Sequence, residues 1–285
     1  MNHNTLSRII VAIIFIPTIL GISYLGGWWL FGMILLFTII AISEFLMNEG
    51  HRPGGILFWI TFLSVLLLFA HGTSDFLIKH LSFEQSKLLA SFTIVPLTAI
   101  FFLISGMIST KSREAAAASF ASQSRLLWGV VYIGLLYPIV FLVGSGINGH
   151  RGGDLLLFLF GIIWVGDTAA MEIGKRIGKR KLSPAISPNK TIAGFVSGFF
   201  GAALVGWLMN YWKFQNVSLV HLLLISIGCS LFGQLGDLVE SMWKRSLNIK
   251  DSSSVIPGHG GILDRFDSLL FAAPFMYLYF RLLLS

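Results

Sequence analysis

Charge is scarce in this 285-residue chain: only 12% of its residues are Asp, Glu, Lys or Arg, about half the roughly 25% of an ordinary soluble domain. With 55% hydrophobic residues and a mean hydropathy of +0.81, that scarcity argues against a soluble globular protein and for a polytopic membrane protein. Cysteine is nearly absent as well. The single thiol, Cys229, has no partner for an internal disulfide and no neighbour at metal-ligand spacing, so it reads as a small buried hydrophobe. No cysteine–histidine cluster speaks for zinc. The first apolar run, Ile9 to Tyr24, lacks a small-residue cleavage site and leads at once into a second run, so it reads as a retained helix and not a signal peptide. Repeats with periods of roughly 20–50 residues and long linkers are also missing. The net charge of +7 needs no nucleic acid to explain it, because basic loops on one side of a membrane suffice.

What the chain has is apolar helix. A bilayer core about 30 Å thick needs roughly 20 apolar residues per span. Nine segments qualify, at about 8–25, 27–47, 55–71, 88–108, 126–146, 153–174, 191–211, 218–241 and 265–284. The expected fold is therefore all-α, with about nine transmembrane helices. Taking alternate loops from the N-terminus puts 15 Lys and Arg on one side and 5 on the other. By the positive-inside rule the N-terminus is cytoplasmic, and so are the two most chemically loaded loops, 175–190 and 242–264. Residues 1–150 read as N-terminal scaffold helices and 151–285 as the catalytic region. The stretch EAAAAS at 114–119 suggests a short surface helix.

Ionisable residues inside spans cost about 2.5–3.5 kcal/mol each on insertion scales and usually face a cavity or a partner. Asp167, Asp237 and Glu240 are such residues. Asp237, Glu240 and Ser241 follow i, i+3, i+4 spacing and so share a helix face. Asp264 and Asp267 share one at the start of the last helix. Two helices can thus offer oxygen ligands to one pocket, and hard oxygen ligands select Mg²⁺. A blander reading of Asp264 is an acid complementing a helix N-terminus, and of Asp267 an acid paired with a neighbouring base. Glu44 and Glu172 fit interfacial or paired acids, and Asp75 and Asp154 fit solvated loop charges. The loop GKRIGKRKLSPAISPNKT, residues 174–191, either fixes topology with its basic residues or binds phosphate through Ser187, Lys190 and Thr191 near a helix start. His259-Gly260-Gly261 can bring backbone N–H groups to an anion, and Lys244, Arg245 and Lys250 can snorkel to the interface.

The run SMWKRSLNIKDSSSVIPGHGGILDRFD, residues 241–267, resembles the signature of the phosphatidate cytidylyltransferases, the CDP-diacylglycerol synthases. GDTAA at 166–170 followed by the 174–191 loop resembles that family's second block, so the likeness covers about 160–275. Ile192-Ala193 stand where the family commonly has Trp-Glu, and Met171 stands near a usual aromatic. The resemblance implies transfer of the cytidylyl group of CTP to phosphatidic acid, giving CDP-diacylglycerol and pyrophosphate. It implies Mg²⁺, with Mn²⁺ able to substitute and room for a second cation, held by Asp237 and Asp264 with Asp267 beside them. Lys244, Arg245, Lys250 and Arg265 become phosphate contacts, Ser187, Lys190 and Thr191 contacts for the CTP phosphates, and His259 a loop-orienting or proton-handling residue. The expected setting is the inner (plasma) membrane, multi-pass, as a homodimer among membrane lipids with the site facing the cytoplasm.

Two other readings compete. An ion-coupled secondary transporter uses intramembrane acids, but it places them near the midplane within inverted repeats; here they cluster at one face and no inverted repeat is visible. A phosphotransferase consuming a CDP-linked lipid carries the pattern D-G-x2-A-R-x8-G-x3-D-x3-D, which this sequence does not contain.

Overall fold

The computed structural model describes residues 3–81, 87–109, 112–256 and 260–284. Its helices are α1 (His3–Leu25), α2 (Gly27–Asn48), α3 (Ile56–Gly72), the short α4 (Ser74–Leu81), α5 (Lys87–Ser109), α6 (Arg113–Gly144), α7 (Gly152–Ile177), α8 (Ile192–Trp212), α9 (Leu219–Ser246) and α10 (Leu263–Leu283). Between α7 and α8 stands a small antiparallel hairpin, β1 (Lys181–Ser183) and β2 (Ser187–Thr191). The all-α membrane fold holds. Among the described residues six helices, α2 and α6 to α10, are long and apolar enough to cross a membrane, and the apolar parts of α1, α3 and α5 are shorter.

The helix ends follow local chemistry. Gly26 and Gly27 both have left-handed φ, +65° and +52°, a conformation that favours glycine, and this lets the chain turn from α1 into α2 without a loop. The EAAAAS stretch corrects an expectation: it is no separate surface helix but the opening turns of α6. Alanine is the strongest helix former and no Gly or Pro interrupts 114–128. The helix starts at Ser112, whose Oγ accepts from the Ala115 N–H at 3.2 Å, an N-cap contact.

Two compact units emerge, one of residues 33–138 and one of residues 1–32 with 139–285. Helix α1 thus groups with the C-terminal helices. Within the first unit, the Ser64 and Thr98 hydroxyls meet at 2.9 Å between α3 and α5, and Arg125 on α6 pairs with the buried Glu49 at 2.8 Å.

Within the second unit, α7 packs on α8, α8 on α9, and α9 on α10. Small residues let the backbones touch. A Cβ on Gly194 would stand 2.6 Å from the Ala170 carbonyl, and Ser197 Oγ donates to the Ala169 carbonyl at 3.1 Å. Helix α1 lies along α7 and is clasped at its last turn. The Tyr24 hydroxyl donates to Asp154 at 3.3 Å, and Lys213 Nζ lies 3.3 Å from Asp154 and 3.2 Å from the Tyr24 oxygen. The Arg151 guanidinium sits 4.9 Å from the Tyr24 ring centre. Asp154 is therefore not a solvated loop charge but a paired one, and the Tyr24 and Asp154 contacts raise the Lys213 pKa above its ordinary value.

Candidate functional site

Local sequence dictates how the hairpin delivers its residues. Thr191 ends β2 and caps α8, its Oγ1 accepting from the Gly194 N–H at 3.1 Å. The strand consequently enters the helix without slack, and the preceding residue, Lys190, reaches Asp237 on α9 at 2.6 Å. Arg245 supports the hairpin turn from the other side: its Nε donates to the Ile186 carbonyl at 3.2 Å and its Nη1 to the Ile249 carbonyl at 2.8 Å.

Along α9 the polar residues recur at one face. Ser241 donates to Asp237 Oδ1 at 3.2 Å, and Lys244 lies 3.3 Å from Glu240 and 2.6 Å from Asp264 Oδ1. Glu240 is fully buried, so Lys244 faces two carboxyl groups withdrawn from water, one from α9 and one from α10.

Asp264 organises the loop before α10. Its Oδ2 accepts from the Ser252 N–H at 2.8 Å, the Ser252 hydroxyl at 2.9 Å and the Gly261 N–H at 2.8 Å. Gly260 has φ +88°, and a Cβ there would stand 2.7 Å from the same oxygen, so close approach and backbone conformation both call for glycine. One turn on, Asp267 Oδ1 accepts from the Ser268 N–H at 2.6 Å.

Two cavities meet at these residues. The first, about 590 Å³, has a charged floor of Asp167, Asp237, Lys244, Asp251, Asp264, Arg265 and Asp267 and apolar walls from Phe15, Ile16 and Ile19 on α1 and Phe160, Ile163 and Trp164 on α7. The second, about 670 Å³, is lined by Lys175, Lys181, Asn189, Lys190, Thr191 and Gln234. Asp167 and Asp237 line both, so they form a shared wall between a basic chamber and an amphiphilic one.

Of the residues singled out in the sequence, Asp237, Asp264, Asp267, Lys244 and Arg265 come together in the first cavity, and Lys190 and Thr191 in the second with Asp237. Ser187, Arg245 and Lys250 are not among the described residues that line either. His259 lies outside the described residues. Asp167 received no role from its sequence context beyond being a costly intramembrane acid, yet it stands at the junction of the two chambers. Its signal was available: it lies seven residues before Gly174 on α7, two helical turns from the basic loop. Lys175, Lys181, Asn189 and Asp251 lie within the two family-like blocks, but nothing in their spacing gave them individual roles.

The donor set suits a hard cation. Every side chain on the first cavity that can bind a metal offers oxygen, and acids outnumber the bases that line it. Among the described residues no three acids, histidines or cysteines form a ready-made cage. Mg²⁺ asks for less, since it commonly takes one or two carboxylates and fills its octahedron with water and substrate phosphate.

Comparison with known proteins identifies the family of the chain. Residues 6–283 match the model of the cytidylyltransferase family. The chain is 36% identical over 276 residues to the phosphatidate cytidylyltransferase of Staphylococcus saprophyticus, with 97% of each chain covered. It is 36% identical over 280 residues to that of Staphylococcus haemolyticus and over 278 residues to that of Staphylococcus aureus strain COL, again covering 97% of each.

Proposed function

The chain belongs to the cytidylyltransferase family, and from that premise we propose that it transfers the cytidylyl group of CTP to phosphatidic acid, releasing pyrophosphate and leaving CDP-diacylglycerol. One observation carries the reading beyond the family: a chamber rich in lysine and a chamber with apolar walls share Asp167 and Asp237. A triphosphate fits the lysine-lined chamber by charge, an anionic lipid fits the amphiphilic one by its two-sided chemistry, and the shared wall is where their phosphates would meet.

The reaction asks little covalent chemistry of the protein. An oxygen of the lipid phosphate, anionic at neutral pH, bonds to the α-phosphorus of CTP while the bond from that phosphorus to the pyrophosphate oxygen breaks. No serine, cysteine or strong base is required. The barrier is repulsion between polyanions, so catalysis reduces to positioning and charge neutralisation. In this proposal Lys190, Lys181 and Lys175 draw in the triphosphate, the Thr191 hydroxyl donates to a phosphate oxygen, and Lys244 and Arg265 orient the lipid phosphate. Mg²⁺, when bound, supplies further neutralisation of the reacting phosphates. Asp237, Asp267 and the Oδ1 of Asp264 would hold it, the Asp264 Oδ2 being taken up by the loop.

The basic asymmetry of the loops supports an active site facing the cytoplasm, where CTP is made, in the inner (plasma) membrane. A homodimer is the assembly proposed, to be read as particle mass by light scattering in detergent. The activity itself is tested by incubating purified protein with CTP labelled at the α-phosphate and phosphatidic acid. The label should pass into chloroform-soluble product with release of one pyrophosphate per transfer. Label remaining in the aqueous phase, with proton or Na⁺ uptake into protein-containing vesicles, would replace the enzyme with a transporter.

A further inference from the structure

The signature residues sit on α9, α10 and the loop between them, yet part of the apolar lining of the first cavity comes from a helix at the other end of the chain. Phe15, Ile16 and Ile19 of α1 line the same space as Asp264 and Arg265. Ile19 is 4% exposed, whereas Ile13, Ile14 and Ile16 on the same helix are 65%, 63% and 38% exposed. Phe15 and Ile19 thus share the cavity side of α1 with Ile16 at its edge, while the neighbouring face with Ile13 and Ile14 is apolar and open, as a lipid-facing surface is. On α7, the Phe160 and Trp164 rings that line the same cavity stack at 5.2 Å with an interplanar angle of 24°, giving it a flat apolar surface. Helix α1 carries no acid or base between Ile9 and Leu25, so it has no chemistry to offer the phosphates.

The position of α1 is specified and does not rest on apolar packing alone. A Cβ on Gly153 of α7 would stand 3.0 Å from the Tyr24 Cα, so the two backbones are in close approach. The Tyr24, Asp154 and Lys213 contacts then fix the last turn. A helix anchored in that way at one end holds the register of Phe15 and Ile19 against α7.

We propose that α1 is the acyl-chain wall of the lipid site, with Phe15 and Ile19 holding the chain segments nearest the glycerol against Phe160 and Trp164. This rests on phosphatidic acid being the acceptor. The charged floor fits the phosphate, the slot between α1 and α7 fits the first methylenes of the acyl chains, and the remaining methylenes run out along the exposed isoleucines into the bilayer. The nucleotide has no such apolar body and belongs to the lysine-lined chamber. Helix α1 therefore sets how many acyl chains the enzyme accepts without touching the reacting atoms.

The experiment compares two-chain and one-chain acceptors, dioleoyl phosphatidate and oleoyl lysophosphatidate, at saturating CTP in mixed micelles. Ile19→Trp fills the slot and Phe15→Ala removes part of its wall. In each, the ratio of kcat/KM for the two-chain over the one-chain lipid should fall by roughly 10-fold or more, the discrimination that about a methylene's worth of apolar contact gives. The KM for CTP should move by less than the lipid ratio. Phe15→Ala keeps the test intact if Ile19→Trp fails to fold, as judged by size-exclusion in detergent. Folded variants that keep the wild-type ratio overturn the proposal, and so does a rise in the KM for CTP as large as the lipid effect. Native mass spectrometry of the same proteins with dioleoyl phosphatidate reads the slot without turnover. A wild type that binds this lipid, loses it in the variants and makes no CDP-lipid would break the reaction reading and leave the wall standing.

Discussion

Lys244 Nζ lies 2.6 Å from Asp264 Oδ1, joining the last turn of α9 to the first turn of α10 across a loop of the signature. The two side chains are 11% and 3% exposed, so the ion pair is withdrawn from water. Breaking such a buried pair from one side costs about 3–5 kcal/mol. Lys244→Met should therefore lower the thermal unfolding temperature in detergent, because it leaves the buried Asp264 carboxylate without its cation. Asp264→Asn should reduce kcat by about 10²–10³-fold, the usual scale for one lost electrostatic contact in a water-poor site. The double variant should recover much of the stability lost by Lys244→Met and none of the activity. Additive stability losses would show that the pair is not coupled.

Lys190 bridges the hairpin to Asp237 and lines the lysine-rich chamber. Lys190→Gln should raise the KM for CTP by roughly 10-fold, a charge-assisted hydrogen bond being worth about 1.5–3 kcal/mol, with the KM for phosphatidic acid little changed. An equal rise in both constants would mean that Lys190 only holds the hairpin in place.

Turnover should cease after exhaustive chelation and return with Mg²⁺ or Mn²⁺. Asp237→Asn should shift the Mg²⁺ titration to higher concentration, since a carboxylate is lost from an oxygen donor set. Isothermal titration of Mn²⁺ in the presence of CTP should show the same weakening. Full activity in the chelated enzyme would remove the metal from the mechanism.

The proposed sidedness rests on the basic loops. Cysteines introduced at Ser183 and Ser253 in a Cys229→Ser background should react with impermeant thiol reagents in inverted vesicles only. Labelling of either from the outer face of intact cells would reverse the topology.

His51 follows α2 with its Nε2 buried and unbonded, and burial, aided by Arg125, lowers its pKa below 6.5 against an opposing pull from Glu49. A folded-state pKa below the unfolded one means that the unfolded chain binds more protons as pH falls through about 6.5. Stability should therefore be fully present at pH 7.5 and decline toward pH 5.5. The His51→Gln variant should show a smaller difference in unfolding temperature between those two pH values. His150, held between the Phe214 and Phe280 rings at 5.5 Å and 5.2 Å, is lowered by burial as well, so part of the slope should persist in the variant.

Much of the architecture was written locally. Long apolar runs bounded by Gly26-Gly27, by the charged loops and by Ser112 mark helices because a span must satisfy its own backbone within the segment. The signature acids at i, i+3 positions declare a polar face on the same local grounds, and that is why Asp237, Asp264 and Asp267 were legible as a group. What required the folded chain was everything set by pairs distant in sequence. Asp154 became a partner of Lys213 and Tyr24, Arg245 turned to backbone carbonyls, and Asp264 spent one oxygen on the loop and shared the other with Lys244. Helix α1 joined a cavity whose signature acids lie more than 200 residues away in sequence, and Asp167 came to the junction of two chambers. Helix and span are short-range consequences of periodicity and hydropathy, whereas a carboxylate's use depends on which donors surround it, and those donors are brought by other elements only when the helices pack.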